Sequence, residues 1–415
     1  MAMFLLQKAI GALKVLRFES LRKWERWICC AAENGGGIFL HLEKLYIKDC
    51  FRLTGELPIQ LSSSAIHELE LSGCNQVLLK EFPNRMQTLE IGGFDAVESL
   101  PGGIIDSSSC LRELKVQNCC SLMSLSQGGP LSTLKTIWIL HCRKLELPIH
   151  MDYSSLDKLW LHNCDSIRSI PLELFPKLCD LNLDSCANLE SFTIPEPHER
   201  DLAASLLQIK YCPKFVSFPK AGWRAPKLEL FLVDNCGSLR SLPDRMDKLF
   251  PSLVQFTMRY CSKVESFPEG GLPSNLNSIS VFGCDKLVAS WKAWGLQKLP
   301  SLRSLFIGGT EDVESFPDFG LLPTSLISLS IEFSNLKSLD REGLQHLISL
   351  EELQITRCPE LKYMPEEGLP TSISILRIHG CPLLEKQWKK RKGKEWREIA
   401  HVPHVGSDYK RIRTN

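Results

Sequence analysis

Apolar and polar residues follow a nine-residue phrase that returns along almost the whole chain. The phrase is apolar-x-x-apolar-x-apolar-x-x-Cys, and residues 42–50, 156–164 and 350–358 show it in full. Apolar residues two positions apart have the period of a β-strand with one buried face. The pattern therefore predicts one short strand for each copy of the phrase.

Fifteen regular copies follow one another at intervals of 20 to 26 residues, and a weaker copy at residues 13–21 precedes them. This period and phrase are typical of leucine-rich repeats, in which each repeat adds one strand to a parallel sheet. A single repeat cannot bury its own apolar side, so neighbouring repeats must stack. The ninth positions of the regular copies are Cys50, Cys74, Phe94, Cys119, Cys142, Cys164, Cys186, Cys212, Cys236, Cys261, Cys284, Thr310, Ser334, Cys358 and Cys381.

The segment after the strand contains proline in many copies, as at residues 238–243 and 264–268. Proline fixes φ and removes a hydrogen-bond donor, which argues against a long helix in this return limb. We therefore predict an α/β-type repeat solenoid, a leucine-rich-repeat horseshoe with a parallel concave sheet and a mostly irregular convex side. Residues 1–384 are expected to form about 16 repeats, and residues 385–415 a basic C-terminal cap and tail.

Cysteine occupies twelve of the fifteen ninth positions. The chain turns inward there, and a small side chain with a donor can bond a backbone carbonyl group that has no other partner. Metal binding or disulfide formation is the alternative for cysteines stacked in register. The sequence contains no Cys-x-x-Cys pair, and a reducing compartment is expected. We therefore expect a structural role for these cysteines and no metal site.

Positions three, five and seven of each copy point away from the buried side, because side chains alternate along a strand. Most are small or charged, but two adjacent copies place Trp138 and Trp160 at position five. An exposed patch of large apolar residues is typical of a protein-binding centre. Alternatively, the tryptophans merely stack on one another or lie under another domain of the same protein. The candidate protein-binding residues are Trp138, Leu140, Trp160, His162, Arg259, Phe282 and Phe306.

Composition and charge exclude several classes of protein. The 415 residues carry 49 lysines and arginines against 48 aspartates and glutamates, so the chain is not a basic protein that binds nucleic acid by charge alone. No apolar stretch approaches the roughly 18 residues of a transmembrane segment, and the apolar run of residues 1–6 is too short for a secretion signal. We expect a cytoplasmic protein with no nucleic-acid partner and no transmembrane segment.

Motifs of catalytic chemistry are missing from the sequence. It contains no H-E-x-x-H, no G-x-S-x-G and no paired cysteine ligands, so neither an enzyme nor a cofactor is expected. Residues 385–398 carry seven lysines and arginines against three glutamates. Such a cluster can bind anionic lipid or RNA, or it can form a solvated cap over the last repeat.

The second half of the chain alternates two longer phrases. E-G-G-L-P-S at residues 269–274 precedes G-L-Q-K-L at 295–299, and G-L-L-P-T at 320–324 precedes G-L-Q-H-L at 343–347. The last repeat is followed by K-G-K-E-W at 392–396 and I-A-H-V-P at 399–403. Together these phrases resemble the leucine-rich-repeat region of plant intracellular disease-resistance receptors of the coiled-coil, nucleotide-binding type. Trp388 departs from the family, because many relatives have a cysteine at this position.

The resemblance implies a non-catalytic recognition module in plant defence. Its partner would be a pathogen effector, a guarded host protein, or the receptor's own nucleotide-binding switch domain, which the repeats hold inactive. The chain lacks the phosphate loop G-x-x-x-x-G-K-[ST] of that domain, so we expect a truncated or partial receptor. A substrate adaptor of a ubiquitin ligase is the main alternative, since its repeats also favour cysteine at position nine. A secreted receptor ectodomain is a third.

Overall fold

The computed structural model describes residues 13–27, 41–55, 65–74, 85–95, 97–100, 110–125, 132–147, 152–194, 201–219, 223–268, 270–365, 368–388, 399, 401–407 and 410–413. The chain divides into two units, Met1–Pro195 and Glu196–Asn415.

The described residues of the first unit contain one strand for each repeat, and these strands pair in parallel. Equal positions of successive repeats are register partners, so each position of the phrase forms a row across the sheet. Strands β8 and β10 pair separately in the return limbs, and a 3-10 helix (Leu172–Leu174) follows β8. The strands are β1 (Val15–Glu19), β2 (Lys44–Lys48), β3 (Glu68–Ser72), β4 (Thr88–Gly92), β5 (Glu113–Gln117), β6 (Thr136–Leu140), β7 (Lys158–His162), β8 (Ser169–Pro171), β9 (Asp180–Asp184) and β10 (Ser191–Thr193).

The second unit repeats this arrangement with a further parallel set of strands. Its return limbs hold the paired β16 and β18 and several short helices. The strands are β11 (Leu206–Lys210), β12 (Leu230–Asp234), β13 (Gln255–Arg259), β14 (Ser278–Phe282), β15 (Ser304–Gly308), β16 (Ser315–Phe316), β17 (Ser328–Glu332), β18 (Ser338–Leu339), β19 (Glu352–Thr356) and β20 (Ile375–His379). The helices are α1 (Met246–Leu249), α2 (Asp285–Ala289), α3 (Arg341–Gln345) and α4 (Pro382–Trp388), with 3-10 turns at Trp291–Ala293 and Leu296–Lys298.

The apolar positions of the phrase form the core. In the repeat at residues 42–50, the side chains of Leu42, Leu45, Ile47 and Cys50 are completely buried. Strands β6 and β12 show the same alternation of buried and half-buried residues. Burial of each leucine or isoleucine contributes about 1.5–3 kcal/mol, and here the neighbouring repeats provide the covering surface. The predicted parallel repeat solenoid is confirmed.

The return limbs are mostly irregular, as predicted, but the short helices were not predicted. The two similar phrases G-L-Q-K-L and G-L-Q-H-L form different structures: the first contains a 3-10 turn, and the first three residues of the second form the end of α3. The side chain of Asp340 caps α3 by accepting a hydrogen bond from the Gly343 N–H at 2.7 Å. This is a common way of satisfying a free donor at a helix N-terminus.

The eighth position of the phrase has left-handed backbone geometry in most repeats. Its φ is +51° at Asp49, +54° at Asn118 and +65° at Gly380. The N–H of this residue donates to the seventh-position carbonyl of the next repeat, as from Asn118 to Leu140 at 2.9 Å. Glycine and asparagine are frequent at this position because they tolerate positive φ better than branched residues do.

The predicted ninth position at Ser334 is wrong by one residue. Phe333 is completely buried, and its N–H donates to the Cys358 sulfur at 3.5 Å. The N–H of Cys261, a true ninth residue, donates to the Cys284 sulfur in the same way at 3.3 Å. This repeat has no residue of positive φ at its turn, so the chain turns inward one residue earlier.

The described residues after β20 continue the sheet of the second unit. Strand β21 (His404–Ser407) pairs in parallel with β20, and β22 (Lys410–Arg413) pairs antiparallel with β21. The ring of His401 lies with Nε2 3.1 Å from the Pro370 carbonyl oxygen. The basic residues of the predicted cap between 389 and 398 lie outside the described part of the chain, and the boundary at residue 384 stays a prediction.

Candidate protein-binding site

The third, fifth and seventh positions of the strands form one face of the sheet in each unit, which we call the open face. In the first unit, Trp138 on β6 and Trp160 on β7 are register partners on this face. Their ring centroids lie 4.1 Å apart with the planes inclined by 34°. Both side chains are half-buried, so the stacked pair still exposes aromatic surface. Stacking, which the sequence left open as an alternative, is therefore present and does not hide the rings.

Leu140 and His162 are the next register partners on the same two strands, and both are half-buried. The Nδ1 atom of His162 lies 3.4 Å from Asp184 Oδ1. The His162 ring also meets the His141 ring edge-on, with centroids 4.8 Å apart. The four predicted residues Trp138, Leu140, Trp160 and His162 thus form one continuous surface, which we call the tryptophan patch.

Charged residues on the strands before the patch mostly pair with one another. These pairs are partly buried, and they occupy charges that would otherwise face a partner. The pairs are Lys44–Glu68, Lys48–Glu70 and Lys115–Glu90, with nitrogen–oxygen distances of 2.5, 2.6 and 2.7 Å.

A depression of about 300 Å³ opens on this face beside Trp138. It forms where threonine side chains lie between longer lysine and glutamate side chains of the neighbouring strands. The lining residues are Thr88, Glu90, Glu113, Leu114, Lys115, Thr136, Trp138 and Lys158.

Two buried polar atoms at the patch have no hydrogen-bond partner in the described part of the chain. They are Nε1 of Trp160 and Oδ1 of Asp180. A buried donor or acceptor without a partner costs on the order of 1–3 kcal/mol. The patch therefore combines exposed aromatic surface with one unsatisfied donor, and the neighbouring strand β9 adds one unsatisfied acceptor.

The other predicted residues, Arg259, Phe282 and Phe306, lie together on the open face of the second unit. The rings of Phe282 and Phe306 stack with centroids 5.6 Å apart and planes inclined by 11°. Arg259 is exposed and is the register partner of Phe282. Tyr260 meets Phe282 edge-on at 5.4 Å and is 51% exposed, which extends the row of rings. The predicted set thus falls into two groups, one in each unit.

The sequence pattern does not single out Tyr260, because the phrase specifies no residue type at its eighth position. A signal was present in the glycine at the eighth position of the next repeat. A Cβ atom on Gly283 would lie 2.7 Å from Tyr260 Cδ1, whereas one on Gly309 would first meet the backbone of Gly283. Glycine at position 283 therefore provides the space that the exposed Tyr260 ring occupies.

The ninth-position cysteines have the predicted hydrogen-bonding role. The Cys74 thiol donates to the Ile47 carbonyl of the preceding repeat and to its own Ser72 carbonyl, both at 3.4 Å. All of the described cysteines are free thiols, and those at the ninth position are buried. Burial raises the pKa of Cys74 to about 11. A protonated thiol is the form that can donate to these carbonyls.

The described residues contain no cluster of three or more histidine, cysteine, aspartate or glutamate side chains with the geometry of a metal site. Within the same ranges, every helix is too short or too polar to cross a membrane.

Comparison with known proteins gives relatives of one kind. No protein-family model matches the chain. An Arabidopsis thaliana protein named for disease resistance, At3g14460, is 37% identical over 338 residues, which are 80% of this chain and 24% of that protein. Disease resistance protein RPS4B of the same plant is 26% identical over 283 residues, 61% of this chain and 22% of the relative. The chain therefore spans about a quarter of the length of these curated relatives.

Among solved structures, the novel circular leucine-rich-repeat protein CroV588 aligns with a TM-score of 0.38 and 14% identity. The alignment covers 82% of this chain and 60% of that chain, but a TM-score this low adds nothing to the fold assignment. The assignment rests on the in-register strands and buried phrase positions described above. The chain is a leucine-rich-repeat region whose homologues are plant disease resistance proteins.

Proposed function

We propose that this chain is a non-catalytic protein-recognition module of plant defence that acts in the cytoplasm. Its partner is a pathogen effector, a guarded host protein or a nucleotide-binding switch domain. The disease-resistance names of the homologues favour this function over that of a ubiquitin-ligase adaptor.

The stacked and half-exposed tryptophan pair is the observation that carries this proposal. Residues at the centre of protein interfaces are enriched in tryptophan because one side chain provides a large, rigid contact area. On β2–β5, several lysine and glutamate side chains pair with one another, so few of them are available to bind a partner. The tryptophan patch therefore stands out as the part of this open face suited to binding. The aromatic row with Arg259, Phe282 and Phe306 supports a second contact area in the other unit.

Replacement of both tryptophans tests the proposal. The Trp138→Ala/Trp160→Ala chain, crosslinked in leaf tissue, should capture its partners at least about tenfold less, as expected for loss of interface hot spots. Its urea unfolding midpoint should stay close to that of the unchanged chain, because neither ring belongs to the buried core. A Phe51→Ala/Ile348→Ala chain removes two exposed apolar residues outside the strands and should capture normally. Unaltered capture by the tryptophan variant would reject the proposed site.

A further inference from the structure

We propose that the depression beside Trp138 binds a basic side chain of the protein partner, arginine above all. This inference rests on the proposed recognition function and specifies its chemistry. An arginine guanidinium stacks on an indole ring and pairs with a carboxylate through its planar fork. Trp138 and Glu113 line the same depression of about 300 Å³ and supply both groups.

Glu113 has no ion-pair partner among the residues that the structure describes. It lies at the third position of β5, and Trp138 lies at the fifth position of the paired strand β6, so the two are diagonal neighbours within reach of long side chains. Glu113 is exposed and makes no ion pair with any described residue. The lysine on the same strand, Lys115, is held by Glu90 at 2.7 Å. Glu113 is therefore available to pair with a cation from a partner.

Lys158 also lines the depression, but the described residues show no ion pair between Lys158 and Glu113. Thr136 lies between them in the register, so their Cα atoms are two strand spacings apart, about 10 Å. Lys158 is instead the register partner of Asp180, whose Oδ1 atom has no hydrogen-bond partner among the described residues.

The lining of the depression is itself charge-balanced, with Glu90 and Glu113 against Lys115 and Lys158, but the open face around it favours a cationic partner. The open-face positions of β4 to β9 in the first unit carry two lysines and four carboxylates, which leaves two negative charges when His162 is neutral. A surplus of one sign at an interface steers oppositely charged groups towards it. The lysines are Lys115 and Lys158, and the carboxylates are Glu90, Glu113, Asp180 and Asp184.

A pair of small probes tests this inference on the full chain. N-acetyl-arginine methylamide carries the guanidinium, and N-acetyl-citrulline methylamide is its neutral isostere. Binding is followed by fluorine NMR of the chain labelled with 5-fluorotryptophan, and the Trp138 signal is identified from its loss in Trp138→Phe. We expect the arginine probe to bind about tenfold more tightly than the citrulline probe, as expected for a carboxylate contact added to the ring contact.

The Glu113→Gln chain should reduce this preference to about threefold or less, since only the ring and the more distant charges remain. Glu229→Gln removes an exposed glutamate of the second unit and should keep the tenfold preference. Equal binding of the two probes to the unchanged chain, or an unchanged preference in Glu113→Gln, would overturn the inference. Either result leaves the proposed function separately testable, because the double tryptophan variant measures capture independently of partner charge.

Discussion

Single residues set the geometry of each repeat at its eighth position. A left-handed backbone costs a non-glycine residue about 1–2 kcal/mol, and asparagine tolerates it best among the others. Asn235 has a φ of +55° and Gly283 one of +61°, so different residue types adopt the same left-handed conformation at equivalent positions. The nine-residue phrase fixed only the apolar positions, which is why this conformation was not predicted.

Asn235 offers a direct measurement of that conformational cost. Asn235→Val should lower the free energy of unfolding by about 1–3 kcal/mol, because a β-branched residue is strained at positive φ. Asn235→Gly should stay within about 0.5 kcal/mol of the unchanged chain. Urea unfolding followed by circular dichroism provides both values, and equal stability of the two variants would contradict the assigned conformation.

Gly343 is required for a different reason, the close approach of another chain segment. A Cβ atom on Gly343 would lie 1.9 Å from the Pro317 carbonyl oxygen. Gly343→Ala should therefore destabilise the second unit by about 2–3 kcal/mol through overpacking. Gly237→Ala is the matched control, since a Cβ atom there meets nothing within 4 Å, and its urea midpoint should be unchanged or slightly higher.

At the scale of elements, the sequence predicted the strands well and the return limbs incompletely. The strands follow from burial at alternate positions, which a repeated phrase shows many times over. The turns α2 and α3 are only five residues long, too short to produce a helical period in the sequence. The shift from Ser334 to Phe333 was also not predicted. Phe333 is buried, but it occupies the eighth position, where the phrase specifies no residue type.

The buried cysteines at the ninth positions make the stability of the fold depend on pH. The Cys74 thiol has a pKa of about 11 in the folded chain against an ordinary value of 9.0, because burial disfavours the thiolate. The folded chain therefore holds this proton more tightly, and the resulting stability is fully present below pH 9 and lost as the pH rises through 11.

We therefore expect the free energy of unfolding to fall between pH 9 and 11, and to fall less steeply in Cys74→Ser, which has no thiol to titrate. Urea unfolding across this range measures both slopes, with Cys110→Ser as a control at an exposed cysteine. Identical slopes for the Cys74→Ser chain and the unchanged chain would show that this thiol is not protected in the fold.

At the scale of the whole molecule, stacked repeats bury their apolar residues and leave the open faces available for contact. Strand register alone placed Trp138 beside Trp160 and Leu140 beside His162, so the composition of the tryptophan patch was predictable from sequence. The sequence did not show that the rings stack at 4.1 Å, nor that Glu113 has no ion-pair partner among the described residues while Lys115 is held by Glu90. These features depend on side-chain conformations rather than on register.

Site-specific photo-crosslinking tests most directly the claim that the tryptophan patch binds the partner. A benzophenone amino acid placed at position 140 lies within the patch, and one placed at position 348 lies at a highly exposed site outside the strands. Irradiation in leaf tissue should yield a defined protein adduct from position 140 and none from position 348. Equal yields at both positions, or an adduct only from position 348, would contradict the account.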